Sequence, residues 1–184
     1  MERAARLRPW ELAPTMTSDA EDLRAQHIRR MSWMPRLYFA AKPEIAAWAE
    51  PWQREVHARA RRFEQVRLSE TCFVAPCARL FAEPHREIEI GPLASVAAEC
   101  TLHGPLHVGA EASLKPRVVI DAGSQGVVIG EGTRVATGVH IFGWNHGTAA
   151  GLPIRAQPVT SRGVRIGDDV WIGAGVGICD GVTI

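Results

Sequence analysis

The sequence has no excess of either charge, no long apolar run and few cysteines, and each shortage removes a class of function. Lys and Arg number 21 against 20 for Asp and Glu. A dedicated binder of phosphate backbones shows a strongly basic balance, so nucleic acid is set aside as a partner. Apolar stretches are short and broken by charge or glycine, leaving neither a membrane span nor the apolar core of a secretory signal. The chain therefore reads as cytoplasmic and globular, with 46% hydrophobic residues among 184, enough for a core. The four cysteines, Cys72, Cys77, Cys100 and Cys179, form no CxxC pair and gather no histidines as a zinc site would. They read as small buried thiols. Nothing basic flanks Cys179 to favour its thiolate, so it is assigned no chemistry. There is no P-loop, and "GAGVG" lacks the dinucleotide spacing.

What is present divides the chain near residue 72. Residues 1–72 read as an α-helical segment. Ser18 stands three residues before Glu21, a capping-box spacing, and Leu23, Ile28 and Met31 fall roughly on one face, which predicts a first helix after an unpatterned, disordered first fifteen residues. A break falls around Pro35. Beyond it "KPEIAAWAEPWQREVHARARRFEQV" predicts a second helix, interrupted at Pro51, with Trp52, Val56, Ala60 and Phe63 as its apolar stripe. The run "HARARR", flanked by Glu55 and Glu64, reads as a solvated face.

Residues 73–184 follow a different rule, clearest from residue 88 onward. Aliphatic residues recur every six positions in blocks: Ile90, Val96, Leu102; Val108, Leu114, Ile120; Ile129, Val135, Ile141; Ile166, Ile172, Ile178, with Ile184 opening another unit. Helices repeat every three or four residues and half-buried strands every two, so a strict six needs another geometry. If each unit is a short strand plus a turn, three units close a triangular coil whose aliphatic residues stack inward on those of the next. Small or β-branched residues four positions later (Ala94, Cys100, Ala112, Val118, Thr133, Val139, Val170, Val176, Val182) fit the same unit. Gly91, Gly109, Gly130, Gly167 and Gly173, each just after an inward residue, are expected to need no side-chain room and to take special dihedrals at corners. Unrelated strands in a sandwich would not hold this phase. The fold class is mainly β: a parallel β-helix of hexapeptide repeats with an N-terminal helical segment.

These repeats, above all "IGDDVWIGAGVGICDGVTI", resemble the hexapeptide-repeat, left-handed parallel β-helix acyltransferases. Among them, the sugar O-acetyltransferases of the maltose, galactoside and nodulation type are most similar. The block from His146 through "PVTSRGVRIGDDVWIG" carries the resemblance beyond fold, because it pairs a His-bearing loop with the Trp coil that follows. The resemblance implies a homotrimer with three sites, each between two chains, and acetyl-CoA as co-substrate, held largely by backbone in a groove between subunits. No metal is expected.

Two interruptions break the beat. "DAGSQG" adds three residues before Ile129, and a long excursion separates Ile141 from Ile166. Such an excursion leaves the tube and covers a neighbouring surface. Acyl transfer from a thioester to an alcohol needs a group that accepts a proton near neutral pH, and imidazole suits this. His146, inside the excursion, is the candidate general base, a role the resemblance also implies. By the same analogy the Gly173–Ala174 corner supplies a backbone N–H to the oxyanion and lies along the cofactor. Trp171 should face outward, either as a wall for acceptor or pantetheine or as packing under the loop. Asn145 either orients His146, contacts a substrate hydroxyl, or serves the turn. Asp168 and Asp169 read as a solvated corner.

Two other classes share this frame. One is a catalytically incomplete scaffold or assembly subunit, which acetyl-CoA binding would separate from an enzyme. The other is the γ-type carbonic anhydrases, which hold a metal with three histidines between subunits; here His103, His107 and His140 lie on the coils, but the long His loop and "VWIG" do not fit that pattern. The chain stops on the first residue of a unit, at Ile184, so the expectation is a fragment or shortened reading frame.

Overall fold

The computed structural model describes residues 20–184. The cap at Ser18 and the unpatterned first fifteen residues lie outside these. Three helices come first: α1 (Ala20–Trp33), α2 (Arg36–Phe39) and α3 (Pro43–Phe63). Acidic Glu21 and Asp22 in the first turn of α1 and Arg30 in its last complement the helix dipole. Its expected apolar face turns inward only at the C-terminal end: Met31 is buried, Ile28 half-buried and Leu23 exposed. Among the described residues no helix is long and apolar enough to cross a membrane.

Helix α3 is not interrupted at Pro51. It runs 21 residues with Pro43 at its first turn and Pro51 inside. The missing N–H of Pro51 forfeits one helical hydrogen bond, but the helix lies across the open end of the β-helix, and tertiary contacts on both sides of the proline hold it. Trp52, Val56 and Ala60 pack inward, whereas Phe63 is 70% exposed. The buried row is Ala49, Gln53 and His57. The run "HARARR" is therefore not wholly a solvated face, since its first residue is buried.

That row explains how the sheet end is closed. Gln53 donates from Nε2 to the carbonyl of Val74 (3.1 Å) and accepts at Oε1 from the Val74 N–H (2.9 Å). Arg61 donates to the carbonyl of Leu68, and Glu64 accepts from the N–H of Ala82 at 2.7 Å. Four backbone groups of the first coil, the Leu68 carbonyl, both groups of Val74 and the Ala82 N–H, are thus met by side chains from the middle of α3 to just beyond its end.

The rest is a three-faced parallel β-solenoid, each face five strands deep. The first face comprises Val66–Leu68, Ile88–Ile90, Leu106–Val108, Val127–Ile129 and Val164–Ile166. The second comprises Phe73–Val74, Ser95–Val96, Ser113–Leu114, Arg134–Val135 and Trp171–Ile172, and the third Arg79–Phe81, Thr101–His103, Val119–Asp121, His140–Phe142 and Gly177–Ile178. The six-residue beat is the register. Ile90, Val108, Ile129 and Ile166 are successive partners on the first face, Val96, Leu114, Val135 and Ile172 on the second, and Leu102, Ile120, Ile141 and Ile178 on the third. All are buried in one continuous core, each contributing about 1.5–3 kcal/mol by leaving water. An earlier triplet, Leu68, Val74 and Leu80, forms a first coil that starts at Val66, before residue 72.

The corners differ from expectation in one respect. Gly91 and Gly109 do stand where a Cβ would collide with backbone, at 2.8 Å from the Ala110 nitrogen and 2.7 Å from that of Glu131. The left-handed dihedrals, however, fall two residues later, at Leu93, Glu111, Gly132 and Asp169, and at Glu99, Arg117, Gly138 and Gly175. The tube turns after its inward residue has been placed, so the close approach and the bend sit at different positions. Val176 and Val182 are also exposed, unlike the earlier residues of their class, because they lie on the last coil.

Candidate active site

Every insertion in the solenoid leaves from the same corner, between the third and first faces. Residues 82–87 are a small one missed in the sequence, 122–126 the second, and 143–163 the long excursion. The long excursion is an ordered arm. Asn145–His146 pairs antiparallel with Val159–Thr160, with His146 opposite Val159. Gln157, buried in the loop, donates from Nε2 to the carbonyls of Ala149 (3.1 Å) and Leu152 (3.0 Å) and accepts the Ala149 N–H at 2.7 Å. Ser161 fastens the root: its hydroxyl donates to the carbonyl of Gly143 and accepts the N–H groups of Ser124 (3.1 Å) and Gln125 (3.0 Å). The long excursion is therefore tied onto the 122–126 insertion. Neither Gln157 nor Ser161 was singled out in the sequence; an amide or hydroxyl in a polar loop gives no signal of a partner so distant in the chain.

His146 stands exposed near the base of this hairpin, its ring edge-on to Trp144 with centroids 5.3 Å apart. Asn145, also exposed, pairs across the hairpin with Thr160. Trp171 projects outward from the second face beside Arg134 and is 78% exposed, as its position in the unit implies. Gly173 and Ala174 occupy the corner between the second and third faces, where a Cβ at Gly173 would meet only Val176 Cγ2 at 3.9 Å. Within one chain, then, His146 and Asn145 are brought together on one arm and Trp171, Gly173 and Ala174 on another stretch of the tube, with a different corner serving each group. Asp168 is exposed but not merely solvated: it accepts the Glu131 N–H at 2.7 Å and so links two coils.

The other reactive residues have structural partners. Cys72 and Cys100 are buried, and burial pushes both thiols up to about 12. Cys77 and Cys179 are exposed, contrary to the expectation of four buried thiols. Buried His57 lies 3.7 Å from the Cys72 sulfur, and burial together with Arg61 lowers its pKa. His103 sits between Glu83 (3.2 Å) and Asp121 (3.4 Å), His107 lies 3.4 Å from Glu89, and His140 stacks on Phe142. No group of three or more metal-ligating side chains gathers among the described residues.

The site and the tube together define a β-solenoid carrying a histidine-bearing arm. No protein-family model matches the chain, and no curated protein matches it. Similar solved structures include a variant of AntD, an N-acyltransferase from Bacillus cereus in complex with dTDP and coenzyme A, at 13% identity over 69% of this chain and 76% of that one, with a TM-score of 0.46. PerB from Caulobacter crescentus in complex with CoA and GDP-perosamine is 20% identical over 73% of this chain (TM-score 0.35). The acetyltransferase domain of PglB from Neisseria gonorrhoeae in complex with acetyl coenzyme A is 16% identical over 73% (TM-score 0.21). This chain covers 61% of the PerB chain and 62% of the PglB domain.

Proposed function

We propose that this protein is an acetyl-CoA-dependent O-acetyltransferase acting on a hydroxyl of a sugar or glycan. The observation that carries the reading is the pinned arm: one excursion from an otherwise regular tube presents an exposed imidazole on a hairpin fixed by Gln157 and Ser161. In direct transfer, His146 takes the proton of the acceptor hydroxyl as its oxygen attacks the thioester carbonyl. The tetrahedral oxyanion is met by backbone N–H at Gly173–Ala174. The C–S bond then breaks, and the departing thiolate recovers the proton from the imidazolium. Asn145 contacts the acceptor or orients the imidazole, and Trp171 forms a wall for acceptor or pantetheine.

The arm and the Gly173 corner rise from different edges of the tube. That separation supports a homotrimer in which the arm of one cytoplasmic protomer meets the Trp171 coil of the next. The test is a screen of saccharide acceptors by thiol release from acetyl-CoA. Acceptor-dependent release with a product heavier by one acetyl group is the expected result. Release with amine acceptors alone would keep the transfer and correct the acceptor. Absence of acetyl-CoA binding by calorimetry would favour a scaffold.

A further inference from the structure

The outward row of the second face runs through Ser95, Ser113, Arg134 and Trp171, which are partners in register. Beside it, Arg36 at the start of α2 and Lys115 line, with Ser95, Ser113 and Arg134 of the row, an open groove of about 430 Å3. Ser113 faces out from its strand, yet it is only 6% exposed, and its hydroxyl has no hydrogen-bond partner among the described residues. Buried hydroxyls in folded proteins are almost always partnered, so an unpartnered one on a residue that lines a groove marks a missing acceptor or donor.

The groove also holds an uncompensated charge. Arg36, Lys115 and Arg134 line it and form no ion pair with a carboxylate among the described residues. The acid on its rim is Glu111, whose backbone carbonyl accepts from Arg134 Nη1, so the guanidinium is fixed across the opening. Half-buried Lys115 is pushed down by burial and by the nearby charges of Arg134 and Arg36. Three cations against one carboxylate call for a ligand with more than one negative charge, which a lone carboxylate does not supply.

We propose that this groove is a binding site for a phosphate-bearing anion, a pyrophosphate or phosphate ester, with Arg36, Lys115 and Arg134 neutralising it and the Ser113 hydroxyl donating to one of its oxygens. The inference requires neither His146 nor a thioester, and it stands or falls apart from acyl transfer.

The test is calorimetric titration of the full chain with inorganic pyrophosphate, a nucleoside diphosphate and CoA at constant ionic strength. Lys115→Met and Ser113→Ala should each weaken binding at least about tenfold, in line with hydrogen bonds to a charged group. Ser113→Ala should leave the thermal midpoint unlowered, since its hydroxyl has no internal partner to lose. Arg67→Met, a cation on the first face, should change nothing. The ligand whose affinity the two groove variants lower most identifies the source of the phosphate. No binding of any of them, or binding that both groove variants leave intact, overturns the proposal.

Discussion

The hydroxyl of Ser161 lies 3.1 Å from the backbone nitrogen of Ser124, 37 residues earlier in the chain. That contact joins two departures from the repeat into one support for the arm. Ser161→Ala leaves the Gly143 carbonyl and the Ser124 and Gln125 N–H groups without this partner. It should speed amide exchange at Asn145, His146 and Val159 at least about tenfold, while the first three coils keep their protection. Unchanged exchange on the arm would mean that the hydroxyl does not hold it.

Gln53→Leu should lower the free energy of unfolding by about 2–4 kcal/mol, because both buried polar groups of Val74 lose their partner. Denaturant titration measures this. Gln53→Glu should also be costly, since a carboxylate cannot donate to the Val74 carbonyl.

The two kinds of corner glycine should respond unequally to the same substitution. Gly138 has φ +70° and nothing within 4 Å of an added Cβ, so Gly138→Asn should cost under about 1 kcal/mol. Gly91 has an ordinary φ but backbone 2.8 Å from the Cβ position, so Gly91→Asn should cost more than about 2 kcal/mol or abolish folding. Thermal unfolding of the pair decides it.

Much of the tube was legible because a polygon repeats its side. Ile90 through Ile178 had to recur every six residues to stack, and no other element has that period. The first coil was hidden by the ten-residue step from Leu80 to Ile90, which breaks the beat, and by Phe73, whose outward side chain packs under the helices instead of facing water. Continuity of α3 through Pro51 depends on contacts with the solenoid end, which local propensity does not contain. The arm announced itself by its length and its histidine, but Ser161 and Gln157 act on backbone groups that composition does not mark.

Alkaline pH should destabilise the fold through its two buried thiols. Both Cys72 and Cys100 are held near 12 when folded, above the ordinary thiol value, so between about pH 9 and 12 the unfolded chain has released protons that the folded one keeps. Stability from these groups is complete below the unfolded value and falls by up to about 1.4 kcal/mol per pH unit for each thiol above it. Unfolding free energies at pH 8, 9.5 and 10.5, with Cys72→Ala and Cys100→Ala reducing the slope, test this. At pH 8 a thiol reagent should label Cys77 and Cys179 rapidly and the buried pair only on unfolding.

His57 acts at the other end of the scale. Its pKa is lowered, so the folded chain resists a proton that the unfolded chain takes up, and stability should drop as pH falls below about 6.5. Proton NMR titration of His57 alongside unfolding at pH 7 and 5.5 checks the sign; a His57 that titrates at or above the ordinary value would reverse it.

The most direct measurement is acceptor-dependent thiol release from acetyl-CoA by the native chain and by His146→Ala, with matched circular dichroism to show that the tube is intact. Loss of kcat/KM by at least about a hundredfold is the predicted result for removal of a general base. A variant that turns over within about threefold of the native rate would contradict the assignment of His146 and, with it, the reading of the arm.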